Sequence, residues 1–304
     1  MHTLTLSCTA VLMLASGALA ADRLIAVDSS RALFEVNIVT GVKTQIGTVS
    51  ANASTTAGLA YDPTNQVIYL TSTGNDSLYT LDLTTGTATL VGAYGDPAVV
   101  MHGLEYDTST NTLYGASSHN GGLYTINTAT GVATLVGVTG TTSFFNLCHD
   151  SAANIMYGTN SGTDSFYTVN RATGVATLVG PLNGPTNPNG LAFNTANGKI
   201  YLACNNTDTL YTIDVTTGAA AVVGAMGTGN ILGLVYLPDT TPVCYPNCDQ
   251  STSTPALTAN DFQCFLNAFA SGDSYANCDQ STSNPVLTAN DFQCFLNAFA
   301  SGCS

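Results

Sequence analysis

Thr-Gly pairs end at Gly41, Gly86, Gly131, Gly174 and Gly218, so one motif returns five times at steps of 45, 45, 43 and 44 residues. A chain with that period builds one supersecondary unit repeatedly and buries it against its own copies. Each pair lies in a cassette of alternating apolar and polar residues. Examples are Leu78-Tyr-Thr-Leu-Asp82 and Leu123-Tyr-Thr-Ile-Asn127, followed by Ala88-Thr-Leu-Val-Gly92 and Ala133-Thr-Leu-Val-Gly137. Alternation with period two is the mark of a strand. An Asp or Asn closing the first run, with Gly four residues later, suits a tight turn. The Asx side chain binds backbone N–H groups and Gly supplies positive φ.

Two further apolar runs precede each full cassette. Gly58-Leu-Ala-Tyr-Asp62 and Val67-Ile-Tyr-Leu-Thr71 recur as Gly103-Leu-Glu-Tyr-Asp107 with Thr112-Leu-Tyr-Gly-Ala116. They recur again as Asn146-Leu-Cys-His-Asp150 and Gly190-Leu-Ala-Phe-Asn194 with their partners. Four short antiparallel strands every ~45 residues predict a β-propeller blade. The ends agree. The first unit, from Arg23 to Gly47, lacks an inner strand, and an orphan inner strand, Gly233-Leu-Val-Tyr-Leu237, follows the fifth cassette. The expected fold is therefore all-β, a five-bladed β-propeller over about 21–240 closed by its C-terminal strand.

Residues 1–20 read as a signal peptide. Leu4 to Leu14 form an apolar stretch, and Ala18-Leu19-Ala20 fits small-x-small cleavage, although no Lys or Arg precedes the stretch. The expected location is secreted or cell surface, where the remaining cysteines meet an oxidising compartment. No later run reaches the ~18 apolar residues of a membrane span. Lys and Arg total 5 against 19 Asp and Glu, a net charge of −14, which leaves nothing to neutralise a phosphate backbone and excludes nucleic acid as partner.

Composition shifts after a short linker, Pro238-Asp-Thr-Thr-Pro242. Residues 244–304 hold six Cys and no Lys or Arg, and Asn247–Gly272 returns as Asn277–Gly302 with two changes. Each copy reads as an oxygen-rich loop followed by a helix, with Phe262, Phe265, Leu266 and Phe269 on one face and Phe292, Phe295, Leu296 and Phe299 as their mates. At these residues the chain resembles the dockerin-like modules, ending in Gly-Cys, of secreted planctomycete proteins. The resemblance implies a small α-helical, disulfide-rich module of two loop-helix calcium motifs that docks onto a cohesin-like or cell-surface protein. Carried onto this chain, the calcium residues are Asp249, Ser251, Ser253 and Asp261 in the first loop and Asp279, Ser281, Ser283 and Asp291 in the second. The loops depart from the family: Ser stands where it has acids, the turn Gly is missing, and the span is one residue longer. Two carboxylates per loop imply two weak calcium sites, because calcium affinity falls with ligand charge. A module held by disulfides with no metal is the other reading. Cys248, Cys264, Cys278 and Cys294 repeat, whereas Cys244 and Cys303 have no mates and suit a clasp across the module ends.

In a repeat protein the residues that break consensus are the better site candidates. His102 stands where other blades have Ala57, Phe145, Asn189 and Leu232; Glu105 replaces Ala60, and His149 replaces Tyr61. These three are the candidate ligand or metal cluster at the channel. Glycoside cleavage needs at least two carboxylates flanking the bond, and only Glu105 lies within an inner strand. The expected function is thus a non-catalytic exported propeller that binds a protein or glycan and is placed by its tail. A carbohydrate-active hydrolase or lyase on the same anchor is the rival.

Overall fold

The computed structural model describes residues 22–238, 245–251, 255–279, 281 and 284–302. The segment read above as a signal peptide, Cys244, Cys303, Ser253, Ser283 and most of the linker lie outside the described residues. The chain divides into two compact units, one within Ala21–Asp239 and one within Thr240–Ser304.

The first unit is a five-bladed β-propeller. Its strands are β1 (Arg23–Asp28), β2 (Ala32–Val36), β3 (Lys43–Thr48), β4 (Thr56–Asp62), β5 (Val67–Ser72), β6 (Ser77–Leu81), β7 (Ala88–Ala93), β8 (Met101–Asp107), β9 (Thr112–Ser117) and β10 (Gly122–Ile126). They continue as β11 (Ala133–Val138), β12 (Phe144–Asp150), β13 (Ile155–Asn160), β14 (Ser165–Val169), β15 (Ala176–Pro181), β16 (Pro188–Asn194), β17 (Lys199–Cys204), β18 (Thr209–Ile213), β19 (Ala220–Ala225) and β20 (Ile231–Leu237). Four blades are consecutive antiparallel sheets from β4 to β19, and the fifth has the order β20-β1-β2-β3. The last strand therefore supplies the inner strand of the first blade, with Leu24 opposite Tyr236, Ile25 opposite Val235 and Ala26 opposite Leu234. Inner strands follow one another round the axis as β20, β4, β8, β12 and β16, and β16 meets β20 again.

Each interface between blades holds its own apolar cluster. Leu59, Leu70 and Val235 belong to one, Leu104, Tyr106 and Leu113 to the next. The repeated glycines have a structural reason. Gly131 turns with φ +78°, and a Cβ on Gly92 of the preceding blade would lie 2.0 Å from the Thr130 carbonyl oxygen. The Gly that ends a fourth strand and the Thr-Gly turn of the next blade touch backbone to backbone, so both must lack a side chain. The turn itself is held by Asn127, whose Oδ1 accepts from the N–H groups of Ala129 (2.9 Å) and Thr130 (3.1 Å).

The second unit has two helices, α1 (Ala259–Ser271) and α2 (Ala289–Ser301). Both start with a capping box: Thr258 with Asp261, and Thr288 with Asp291. Phe265 and Phe295 are fully buried and stack at 4.1 Å between ring centroids, while Tyr245 stacks on Tyr275 at 4.9 Å. The Tyr pair lies 30 residues apart, so the duplication begins two residues before Asn247. Disulfides join Cys248 to Cys264 and Cys278 to Cys294, tying each loop to its own helix. Among the described residues, no helix is long and apolar enough to cross a membrane.

Candidate functional site

Four of the five inner strands carry the motif Gly-Leu-x-aromatic, β12 reading Asn146-Leu-Cys-His149 instead, and the ring pairs the last two positions across every interface. Ala60 of one blade shares an apolar cluster with Tyr106 of the next, Cys148 with Phe193, Ala192 with Tyr236, and Val235 with Tyr61. Four interfaces thus match a small side chain to an aromatic one. At the fifth, the corresponding residues are Glu105 and His149. The acid is longer than the Ala, Cys or Val it stands for, and the imidazole is smaller than Tyr or Phe. The two departures compensate each other in volume, which a linear reading of the repeats does not show.

These positions open into a cavity of about 90 Å³ at one end of the axis, to which all five blades contribute. Glu105 and His149 line it together with Tyr61, Tyr106, Phe193 and Tyr236. Deeper along the axis only about 10 Å³ remains, among Leu59, Leu104, Leu147, Leu191 and Leu234. Backbones approach closely there: a Cβ on Gly58 would lie 2.3 Å from the His102 carbonyl oxygen. The cavity is a cup that narrows toward this layer of leucines.

Behind His149 lies a closed set of contacts between the third and fourth blades. His149 Nδ1 is 3.5 Å from Asp107 Oδ1, and its Nε2 is 3.3 Å from Asn154 Oδ1. Arg171 donates to Asp107 Oδ2 through Nη1, and to Asn154 Oδ1 through Nη2 at 2.6 Å. Asp107, with no exposed side-chain surface, also accepts from the hydroxyls of Ser109 (2.6 Å) and Thr110 (2.9 Å). Burial opposes its charge, but those hydroxyls, the neighbouring His149 and the Ser109 N–H bring its carboxyl down to about 2. Burial pushes the His149 imidazole below its usual value; Asp107 pulls the other way and Arg171 adds to the fall. Arg171 was not among the sequence candidates. The signal was there, since the same turn position holds Ile38, Leu83, Thr128 and Val215 in other blades.

His102 lies elsewhere. Its Nδ1 meets Ser118 Oγ at 2.8 Å near the start of β8, and Glu105 follows three residue steps later, about 10 Å along the strand. Glu105 and His149 are brought together in the cup; His102 is not among the residues lining it.

Glu105 is the carboxylic acid of the cup. Burial raises its pKa well above the usual carboxylate value, the backbone N–H of His149 opposes this, and Asp107 reinforces it. A raised folded-state pKa gives stability that is present below the ordinary pKa and lost as pH rises through the raised one. Glu105→Ala, which restores the residue of Ala60 and Ala192, is therefore expected to raise the melting temperature at pH 8 by on the order of 2–4 °C. That gain should shrink toward pH 4. Paired melting curves of parent and variant across this range check it; a gain independent of pH would show that Glu105 is not the titrating group.

In the tail, Asp261 accepts from the N–H of Thr258 (2.7 Å) and from the N–H of Asp249 (3.2 Å). Asp291 repeats this with Thr288 and Asp279 at the same distances. Both carboxylates are buried and held by backbone N–H groups, which lower their pKa against the opposing effect of burial. Asp249 Oδ1 accepts from Ser251 N–H (2.9 Å), and Asp279 Oδ1 from Ser281 N–H (2.9 Å). The described donors are all oxygens, the class that calcium takes. Among the described residues no three His, Cys, Asp or Glu side chains converge as a metal group.

The family model described as a repeat of unknown function, DUF6923, matches residues 105–227, less than half of the chain. No curated protein matches. Among solved structures, the chain is similar to one from a nidogen/laminin complex, at 12% identity and TM-score 0.52, covering 71% of this chain and 98% of the other. It is similar to a structural genomics protein of unknown function from Bacteroides thetaiotaomicron, at 15% identity and TM-score 0.51, covering 74% and 66%. A symmetrical protein from a study of de novo evolutionary emergence matches at 22% identity and TM-score 0.50, covering 71% and 99%. At these identities the likeness is one of fold: the chain carries a DUF6923-type repeat within a β-propeller.

Proposed function

We propose that this is an exported, non-catalytic binding protein whose ligand contacts the cup at Glu105 and His149, and whose tail docks it to a cohesin-like or cell-surface protein. The observation that carries the reading is the break in the ring. Four interfaces repeat one small-aromatic pair, and the fifth puts an acid and an imidazole at the open end of the axis. Drift at single positions would not keep the two side chains matched in volume. The two disulfides of the tail support export, since such bonds persist in oxidising compartments. Calcium, if bound, would be held by Asp249, Ser251, Ser253 and Asp261 and their mates, with Asp261 and Asp291 sharing their carboxylates between the ion and the helix cap. His102 would serve the opposite end of β8 and take no part in the cup.

The double substitution Glu105→Ala with His149→Tyr rebuilds the pair found at the Ala60–Tyr106 interface. It should fold, because Tyr106 already meets Asp62 as His149 meets Asp107. Parent and double variant, as full chains, are compared on protein and glycan arrays. Hits of the parent are expected to vanish with the double variant. Hits shared equally by both would remove the cup from the reading. Hydrolysis or elimination on an arrayed glycan that disappears with Glu105→Ala would replace binding by catalysis.

A further inference from the structure

We infer that the cup takes a small methylated ammonium group, such as the head of choline, a ligand class that rests on the reading of the cup as the binding site. Size is the first argument. About 90 Å³ is well below the several hundred Å³ of pockets that enclose a whole drug-sized ligand, so a head group enters and the rest stays outside. The walls are the second. Tyr61, Tyr106, Phe193 and Tyr236 come from four different blades, so a group on the axis has aromatic neighbours on several sides. Aromatic π-systems attract a cation, most strongly one that sheds its water easily.

Charge is the third argument. Glu105 is the acid of the lining, and among the described residues no Lys or Arg lines the cup. The nearest guanidinium, Arg171, is closed on Asp107 and Asn154. A net charge of −14 adds a field that draws cations and repels phosphates and carboxylates. A primary ammonium suits the cup less well. It brings three strong donors, each of which must exchange tightly held water for an acceptor on the lining, at a desolvation cost. A methylated head has no such demand. Because burial holds Glu105 toward its protonated form, a cation beside it favours ionisation, so binding and proton release are coupled and affinity rises with pH.

The test is calorimetry on the oxidised full chain at pH 8 and low salt, with choline, tetramethylammonium, phosphocholine and the uncharged choline isostere 3,3-dimethylbutan-1-ol. Choline and tetramethylammonium should bind with equal stoichiometry. The isostere and phosphocholine should each bind about ten-fold more weakly or not at all. Glu105→Gln and Phe193→Ala, each verified as folded by circular dichroism, should weaken choline by a similar factor. For Glu105→Gln the rise of affinity with pH should also disappear. Equal binding of the isostere or of phosphocholine would overturn the proposal, as would the absence of heat from both cations. If array hits that depend on Glu105 and His149 persist in that last case, the binding cup stands and only the ammonium assignment falls.

Discussion

Excising Ile231–Leu237 from the full chain is expected to abolish cooperative folding of the propeller, not merely loosen one blade. The strand pairs with β1 along its length and buries Ile231, Leu234, Val235 and Tyr236. Its side chains contribute to two apolar clusters, one with the second blade and one with the fifth. Burial of four such side chains contributes on the order of 6–12 kcal/mol, comparable with the whole stability of a typical domain. The excision also exposes the edge of β1 and leaves β4 and β16 without a neighbour between them. Thermal unfolding followed by near-UV circular dichroism decides the matter. A single cooperative transition close to that of the parent would show that the ring does not depend on this strand. Leu234→Ala is the graded control: it should cost about 2–5 kcal/mol while cooperativity survives.

Reduction of the disulfides is expected to melt α1 and α2 while the propeller stays folded. The tail has a small core, in which Phe265, Ala276 and Phe295 are fully buried and the other aromatic side chains only partly so. Native disulfides in small modules are worth about 2–5 kcal/mol each, and two of them exceed what such a core supplies alone. The propeller's Cys148 and Cys204 are free and buried, so reductant has no bond to break there. Adding reductant to the full chain should therefore remove the helical part of the far-UV spectrum and leave the tyrosine near-UV signal of the propeller. Helices that persist after full reduction would refute the dependence. The oxidised chain tests calcium: a rise in the melting temperature of the tail at millimolar ion supports two loop sites, and no shift removes them.

Much of the fold was legible because it is written in local chemistry repeated five times. Asn127 and its equivalents announce a turn through their own backbone neighbours, and Gly131 announces positive φ. The missing first strand and the orphan last one could be joined by counting alone. In the tail, the Phe spacing marked the helices, and the recurring Cys248 and Cys264 marked the staple, whereas the Tyr245–Tyr275 stack lies just ahead of the near-identical stretch and is not marked by it.

The site was legible only in part. Glu105 and His149 could be picked out as departures from the repeat, and so could His102. Nothing in the linear pattern says that the first two share a cup while the third sits about 10 Å further down its strand. Arg171 lies 64 residues from the carboxylate it closes on, in a turn whose period assigns it to the fourth blade while its side chain serves the third. Alternation, turn residues and period act within a few neighbouring residues, so strands, blades and closure follow from composition along the chain. Which position of one blade faces which position of the next depends on the angle at which the blades meet round the axis. That angle emerges only when all five pack together, and it sets Glu105 against His149 and Arg171 against Asp107.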